Sequence, residues 1–333
     1  MDAGRNDERP VSATHATTAA AGLAALLAAL PILYVWRPFG GDIALSALFA
    51  LSMIAIGLAV PDLVWRKAHR RASTGLDHAR WRPSWSRTGC KLVGLIATLG
   101  LIAGGYWLFP EYRGGFYDRF DRLALLVLPF WLAAAVPYFY WVDARMAAPE
   151  DGYWQKVDRR IVGEHLLGWL VKAFFLPLMI TYFWQDLEKF LQTDLTALRD
   201  FKTWYDFLYD TMYLVDVALA SVGYMMALRL TDTHLRSAEP TMLGWSVALL
   251  CYEPFWSLFG ARYLSYGSGY VWGDWLWNSP VLYCLWGGCI LLLTAVYVWA
   301  TVCFGGRFSN LTHRGVITGG PYRWTKHPAY IAK

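Results

Sequence analysis

Long apolar stretches separated by short polar segments dominate this chain of 333 residues. Each stretch is close to twenty residues long. A helix of that length crosses a bilayer, because each residue rises about 1.5 Å and the hydrocarbon core is about 30 Å thick. The pattern predicts an all-α, polytopic transmembrane helix bundle. We expect about eight spans, over residues 17–36, 43–65, 91–109, 123–141, 165–184, 207–228, 241–259 and 279–303.

The distribution of Lys and Arg orients this bundle. Eight spans place on one side the N-terminus, the loops 66–90, 142–164 and 229–240, and the tail. That side carries 21 of the 30 basic residues when Lys91 is counted with its loop, whereas the opposite side carries 8 and Lys172 lies within a span. Cytoplasmic loops carry an excess of Lys and Arg. We therefore expect an integral, multi-pass membrane protein with its N-terminus and tail in the cytoplasm.

Two loops on the opposite side have patterns of their own. Residues 185–206 repeat apolar side chains at helical spacing, which predicts a separate amphipathic helix on the membrane surface or over the end of the bundle. Residues 260–278 are crowded with aromatic side chains, which collect at membrane interfaces because they combine an apolar ring with a polar edge. We interpret these aromatics as anchors; they are Tyr263, Tyr266, Tyr270, Trp272, Trp275 and Trp277.

Composition narrows the possible partners. The chain is 56% hydrophobic, and its net charge of +5 falls in loops, where it sets topology. No nucleic-acid-binding pattern is present, so the expected partner is the lipid bilayer. The five cysteines lack metal-ligand or disulfide spacing, and we expect no metal; the oligomeric state stays open. Packing is the expected role of these cysteines, which are Cys90, Cys251, Cys284, Cys289 and Cys303.

Four ionisable residues fall inside predicted spans: Lys172, Asp210, Asp216 and Glu253. Charges there are costly and usually face a partner, a wet cavity or the bundle interior. Asp216 lies nearest the middle of its span, and Lys172 can pair with it if the fifth and sixth spans adjoin. An interhelical pair, or a side chain that snorkels to the membrane interface, is the simpler interpretation, and a transport or proton pathway is the alternative. Glu253 precedes a proline, which predicts a kink in the seventh span.

The tail after the last span joins turn residues to a basic and aromatic cluster. Glycines and a proline at residues 319–321 predict a turn. Cations suit a carboxylate or phosphate, and rings suit a stacked base, so the cluster suits an anionic ligand that carries an aromatic ring. On composition alone, an interfacial basic turn is the simpler interpretation. The cluster consists of Tyr322, Arg323, Trp324, Lys326, His327 and Tyr330.

The order of these residues resembles a family signature. Residues 320–330 read Gly-Pro-Tyr-Arg-x-x-Lys-His-Pro-x-Tyr. The isoprenylcysteine carboxyl methyltransferase and phospholipid methyltransferase group of membrane enzymes carries Gly-Pro-Tyr-Arg-x-x-Arg-His-Pro-x-Tyr after an apolar helix. Lys326 replaces the usual Arg, which keeps the charge but loses the bidentate fork. The resemblance covers only about residues 300–333.

The resemblance implies an S-adenosylmethionine site and methyl transfer to a lipid-like acceptor or an isoprenylcysteine carboxylate. A hydrophobic or prenylated acceptor would enter from the bilayer. In the family, further helices downstream complete the site, so we expect this chain to hold only part of it. The resemblance names no catalytic residue, and the positions it assigns to the cofactor are Gly320, Pro321, Tyr322, Arg323, Lys326, His327, Pro328 and Tyr330.

These observations divide the chain into two regions. Residues 1–278 hold about seven spans without an assigned role, and residues 279–333 hold the last span and the start of the cofactor segment. The alternative is a non-enzymatic polytopic protein, a transporter or a scaffold, with a degenerate methyltransferase tail. That alternative accounts for Lys172, Asp216 and the spans that the resemblance does not cover.

Overall fold

The computed structural model describes residues 10–146 and 159–333, apart from 266, 268 and 277. Within these residues almost all regular structure is helical, and one short antiparallel sheet pairs β1 (Ser237–Ala238) with β2 (Thr312–His313). The predicted all-α, polytopic bundle is confirmed. The helices are α1 (Ala16–Pro31), α2 (Ile43–Val60), α3 (Trp85–Leu108), α4 (Asp118–Arg145), α5 (Arg159–Gln192), α6 (Phe201–Met225), α7 (Met242–Leu250), α8 (Ala261–Tyr263), α9 (Pro280–Phe304) and α10 (Pro328–Ala332).

Six helical segments of the described chain are long and apolar enough to cross a membrane. They coincide with the first five predicted spans and the eighth. The predicted sixth span lies in α6, which carries Asp206, Asp210 and Asp216 and is not among the six. The predicted seventh span is interrupted, because α7 ends at Leu250 and helical turns resume only at Trp256. The six are Ala16–Trp36, Ile43–Trp65, Trp85–Leu108, Pro110–Arg145, Arg160–Gln192 and Pro280–Arg307.

Five segments meet at one end of the bundle, which we call the first end. Arg87 Nε donates to Asp143 Oδ2 at 2.7 Å. Arg229 Nη1 donates to the Thr74 carbonyl at 2.6 Å. Similar contacts join the tail to the N-terminal segment. These are described parts of the segments that the Lys and Arg count places on one side: residues 10–15, 66–90, 142–146, 229–240 and 305–333.

The opposite end, which we call the second end, holds the remaining connections. Arg122 Nη2 lies 3.1 Å from Asp42 Oδ2, and the ring of Phe201 packs on that of Tyr283 at 5.8 Å between centroids. The chain between α7 and α9 therefore also runs from the first end to the second. Among the described residues, the six apolar segments above also run between these two ends.

The core lies where α1, α2, α5, α6 and α9 meet. Fully buried Leu26, Ile54, Phe183 and Leu214 belong to one apolar cluster. By contrast, α3 and α4 expose many apolar side chains, and Phe130 is 77% exposed. Lipid tails solvate such a surface, since the bilayer core is as apolar as the side chains themselves. The outer faces of α3 and α4 therefore suit contact with lipid.

The separate amphipathic helix predicted over residues 185–206 is wrong. Residues 185–192 extend α5, and a new helix begins at Phe201. Asp200 starts it with a capping box: Asp200 Oδ1 accepts from Thr203 N at 2.9 Å, and Thr203 Oγ1 accepts from Asp200 N at 3.3 Å. Leu187 is fully buried, so the apolar face of this segment packs in the bundle and not on a membrane surface.

The aromatic loop is exposed for the most part. Tyr263, Tyr270 and Trp275 are at least 70% exposed, as an anchoring role requires. Trp272 instead packs on Tyr283, with 4.8 Å between ring centroids. Tyr266 and Trp277 lie outside the described residues. All five cysteines are free, as predicted: Cys90, Cys251, Cys284, Cys289 and Cys303.

Candidate functional site

A buried carboxylate organises the first end. Asp232 is 2% exposed, and its Oδ2 lies 3.0 Å from Nη2 of Arg307, which is itself 3% exposed. Arg71 and Arg236 each bring a guanidinium nitrogen to 3.5 Å from the same carboxylate. We call these four residues the Asp232 cluster. It joins the loop after α2, the loop after α6 and the end of α9.

The backbone around Asp232 explains why this residue type occupies the position. Asp232 has φ +56, a left-handed conformation that Asp and Asn adopt more readily than most residues. Burial and the nearby charge of Arg229 lower the pKa of the adjacent His234 to about 4. His234 is therefore neutral near pH 7, and the positive charge that offsets Asp232 comes from the three arginines.

A second buried arginine fastens the tail to α6. Arg314 Nε donates to the Thr233 carbonyl and Nη1 to the Gly223 carbonyl, both at 2.7 Å. Further bonds reach the carbonyls of Phe308 at 2.9 Å and Met226 at 3.2 Å. Burial, with the charge of Arg307, lowers the pKa of Arg314 to about 9, so it remains a cation near pH 7. Its guanidinium thus satisfies carbonyls at the end of α6 that have no partner within the helix.

The N-terminal segment runs alongside the lead-in to the motif. Ala13 N donates to the Val316 carbonyl at 2.8 Å, and Thr318 N donates to Ser12 Oγ at 3.2 Å. Thr318 Oγ1 also donates to the Pro10 carbonyl at 3.0 Å. The two segments hold each other in an extended arrangement that ends directly before the glycine turn. No sequence pattern predicts this contact between the N-terminal segment and the tail.

The turn of the motif is pressed against α9. Gly320 has φ +58, and a Cβ atom there would lie 2.4 Å from Cys303 Sγ and 3.3 Å from Trp299 Nε1. Only glycine combines this conformation with so close an approach. Pro321 is buried, and the Tyr322 ring packs edge-on against Phe304 at 5.4 Å between centroids.

Gly320→Ala is expected to displace the motif from α9, because the new methyl group collides with Cys303 and φ is unfavourable. The change can be followed by the exposure of Cys303 to a maleimide reagent, which should rise. Gly288→Ala is the matched control. Gly288 lies in α9, the helix that carries Cys303, and has open space around it, so alanine there favours the helix. Equal labelling of Cys303 in the two variants would contradict the tight turn.

The structure divides the eight predicted cofactor residues into two groups. Gly320, Pro321, Tyr322 and Pro328 form the turn and pack towards α9, and Pro328 begins α10. The other four are exposed at the first end. The His327 and Tyr330 rings lie edge to face with 6.0 Å between centroids, and Tyr330 is 83% exposed. The exposed residues are Arg323, Lys326, His327 and Tyr330.

An open groove of about 430 Å³ lies beside the turn. Its walls come from the N-terminal segment and from the motif, and its volume falls in the range of about 300–1,000 Å³ that is typical of small-molecule sites. Among the eight predicted residues, all of which the structure describes, only Arg323 lines this groove. The lining residues are Pro10, Val11, Ser12, Thr318, Gly319 and Arg323.

The ionisable residues inside the bundle are placed differently from the prediction. Helices α5 and α6 adjoin, but the predicted pairing of Lys172 with Asp216 is wrong. Lys172 Nζ lies 4.7 Å from the centroid of the Trp169 ring, whereas Asp216 Oδ2 accepts a hydrogen bond from the Tyr297 hydroxyl at 2.8 Å. Lys172 therefore contacts a ring of its own helix, α5, whereas Asp216 of α6 contacts Tyr297 of α9.

The remaining two acids have nearby partners. Asp210 Oδ2 lies 2.6 Å from Lys189 Nζ, an ion pair between α6 and α5. Glu253 lies in the break after α7, and its Oε1 accepts from the Ser257 hydroxyl at 2.7 Å. The predicted kink before Pro254 therefore takes the form of an interrupted helix. Among the described residues, no group of three or more His, Cys, Asp or Glu is arranged to hold a metal ion.

Comparisons with known proteins add no assignment. No protein-family model matches the chain, and neither the curated proteins nor the solved structures include a match. The fold and the contacts described above are therefore the basis for any function. The resemblance of residues 320–330 to the methyltransferase signature stays a prediction.

Proposed function

We propose that this chain is an integral membrane methyltransferase that uses S-adenosylmethionine and acts on a lipid-like or isoprenylcysteine carboxylate acceptor. One observation carries the proposal. The glycine turn at Gly320 fixes the motif against α9, leaves Arg323, Lys326, His327 and Tyr330 exposed, and sets Arg323 in the wall of a groove of small-molecule size. In this proposal the first end faces the cytoplasm, where the cofactor is available.

The exposed residues of the motif have side chains that suit S-adenosylmethionine. Arg323 lines the groove, and a guanidinium binds a carboxylate strongly. Tyr330 offers an exposed ring on which a base can stack, and His327 lies beside it. Gly319 lines the same groove, and a Cβ there would meet only Ser12 Oγ at 3.8 Å, so the wall is open to a ligand.

Methyl transfer to a carboxylate requires little acid–base catalysis by the protein. S-adenosylmethionine supplies, when bound, an activated methyl group on a positively charged sulfur. A carboxylate acceptor has a pKa near 4 and is ionised near pH 7, so it needs no general base. The residues of the chain then contribute by aligning the reactants and excluding water. With an amine acceptor, His327 is the exposed residue of the motif that can take up a proton.

The position of the motif favours a hydrophobic acceptor. The turn packs at the end of α9, and α9 exposes a row of large apolar side chains along its length. A lipid tail can lie against this row while its polar end reaches the motif at the first end. The row consists of Val281, Leu282, Leu285, Trp286, Leu292, Leu293 and Trp299.

His327→Ala is expected to weaken S-adenosylmethionine binding at least about tenfold, because it removes a ring that packs on Tyr330 and a polar group of the exposed face. Binding is measured by equilibrium dialysis of the tritiated cofactor with the full chain in detergent micelles. His313→Ala is the matched control, since His313 is also an exposed histidine of the tail but lies outside the motif. Equal affinity of the two variants for the cofactor would exclude the proposed site.

A second candidate function rests on Asp216. This carboxylate is 6% exposed inside the bundle, where it accepts a hydrogen bond from the Tyr297 hydroxyl. A buried acid within a membrane bundle is typical of a proton or cation pathway in a transporter. Solute flux in proteoliposomes that Asp216→Asn abolishes, together with no cofactor binding, would favour this candidate over the methyltransferase.

A further inference from the structure

A second cavity, of about 350 Å³, lies at the first end between the beginning of α5 and the segment after α6. None of its lining residues belongs to the tail, so it is distinct from the groove beside the motif. One acid lines it, Glu164, and that carboxylate already accepts from Arg160 Nε at 3.0 Å. Basic side chains outnumber it in the lining: His165, Lys172, Arg229 and Arg236.

The excess of positive charge in the cavity is energetically unfavourable at Lys172. It lies within the apolar part of α5, where Nζ rests over the ring of Trp169. No acid of the described residues forms an ion pair with Lys172. An ammonium group in such surroundings is unfavourable without a counter-charge. An anion in the cavity would supply that counter-charge.

The arginines of the cavity are held in place before any ligand arrives. The Arg229 side chain is held by the hydrogen bond from Nη1 to the Thr74 carbonyl, and its backbone N donates to the Tyr138 hydroxyl at 3.0 Å. Arg236 Nη2 lies 3.5 Å from Asp232 Oδ1. Binding therefore requires little ordering of these two side chains, which favours affinity.

Close packing also fixes the walls. A Cβ at Gly168 would lie 3.1 Å from the side chain of Leu235, so the glycine lets the segment after α6 approach α5 closely. On the outer side, Ile161 of the lining is 65% exposed, and Leu170 of the same helix is 51% exposed. The cavity thus places positive charge directly beside a surface suited to lipid tails.

We propose that this cavity binds a phosphate group, with Lys172, Arg229 and Arg236 as its ligands. Basic pockets between membrane helices bind the headgroups of anionic lipids, and a phospholipid headgroup is the expected source of the phosphate. Inorganic phosphate offers the same chemistry without the apolar tails. The proposal does not depend on the methyltransferase assignment, because the two sites share no residue.

The test is a titration of the purified full chain with dioleoyl phosphatidic acid in detergent, followed by native mass spectrometry. Lys172→Met keeps the length of the side chain and removes its charge. The dissociation constant for phosphatidic acid is expected to rise about tenfold, because a basic residue near the membrane surface contributes on the order of a factor of five and this one lies deeper. Arg262→Met at the second end is the charge-matched control and is expected to leave the constant unchanged.

Competition identifies the source of the phosphate. Inorganic phosphate at about 10 mM is enough to compete at a weak anion site. If it leaves lipid binding intact, a headgroup is the ligand. If it displaces the lipid, the cavity takes the free anion. Equal affinity of the wild type for phosphatidic acid and for dioleoylglycerol, which has the same tails but no phosphate, would overturn the proposal. Arg236→Gln, a change at a more exposed position, replaces Lys172→Met if that variant does not fold. Unchanged binding in the folded variants would also overturn the proposal.

Discussion

Asp232→Asn is expected to lower the free energy of unfolding by about 3–5 kcal/mol, because it leaves the buried guanidinium of Arg307 without its counter-charge. Asparagine has nearly the same shape and tolerates φ +56, so the backbone requirement at this position is unchanged. The loss therefore reports on charge alone. Arg71 and Arg236 would remain around a neutral amide and repel each other.

Unfolding is measured by titration of the full chain with sodium dodecyl sulfate in mixed micelles and followed by circular dichroism. The matched control is Asp206→Asn, which breaks the exposed ion pair between Asp206 and Lys202 at 2.6 Å. An exposed pair of this kind contributes only about 0.3–0.5 kcal/mol. If the two variants lose similar amounts, the Asp232 cluster does not hold the first end together.

A second change distinguishes pairing from packing at the same place. Combining Asp232→Asn with Arg307→Met removes the unpaired charge and keeps an apolar side chain of similar length. We expect the double variant to recover part of the loss, since replacing a buried ion pair by apolar groups is often close to neutral. A double variant less stable than Asp232→Asn would show that Arg307 contributes mainly through its hydrogen bonds to backbone carbonyls.

Arg314→Lys is expected to release the tail and to lower the free energy of unfolding by about 2–4 kcal/mol. The guanidinium reaches carbonyls in four residues, whereas an ammonium group is a single point and cannot reach all of them. Buried carbonyls that lose their partner carry the cost of desolvation, about 1–3 kcal/mol each. The charge is kept, so the effect isolates the geometry of the fork.

Release of the tail is measured by limited trypsin digestion, since Arg323 and Lys326 are exposed cleavage sites within it. Cleavage there is expected to be faster in Arg314→Lys than in the wild type, because local opening becomes easier. Arg113→Lys is the control, as Arg113 is exposed at the second end. Unchanged cleavage in Arg314→Lys would show that the sheet and the N-terminal segment hold the tail without this residue.

Hydropathy and the count of basic residues predicted much of this fold. Apolar runs mark where helices exclude water, and the charge bias groups the segments that the structure brings together at the first end. The predicted separate helix over residues 185–206 is wrong because apolar spacing alone does not show where one helix ends and another begins. The signal was present in the sequence: Asp200 followed three residues later by Thr203 is a helix start.

The candidate site was less predictable. The motif from Gly320 to Tyr330 is visible as a string, but its separation into a buried turn and an exposed face depends on contacts with α9. No sequence feature distinguishes Arg307 and Arg314 from the other basic residues of the tail, because a sequence does not show which guanidinium is buried. Asp232 showed no such signal either, since two of its partners, Arg71 and Arg307, lie in segments distant along the chain.

The contacts that hold the motif also set a time at which it can form. Thr14 donates to the Phe304 carbonyl, 290 positions further along the chain, and Thr318 reaches back 308 positions to Pro10. The N-terminal segment is synthesised first. It remains without its contact to the tail until every helix between the two segments has been inserted. Contacts of such long sequence separation form late. A nascent chain arrested before α9 would carry a bundle without a groove, so any activity at this site would begin only once insertion of α9 is complete.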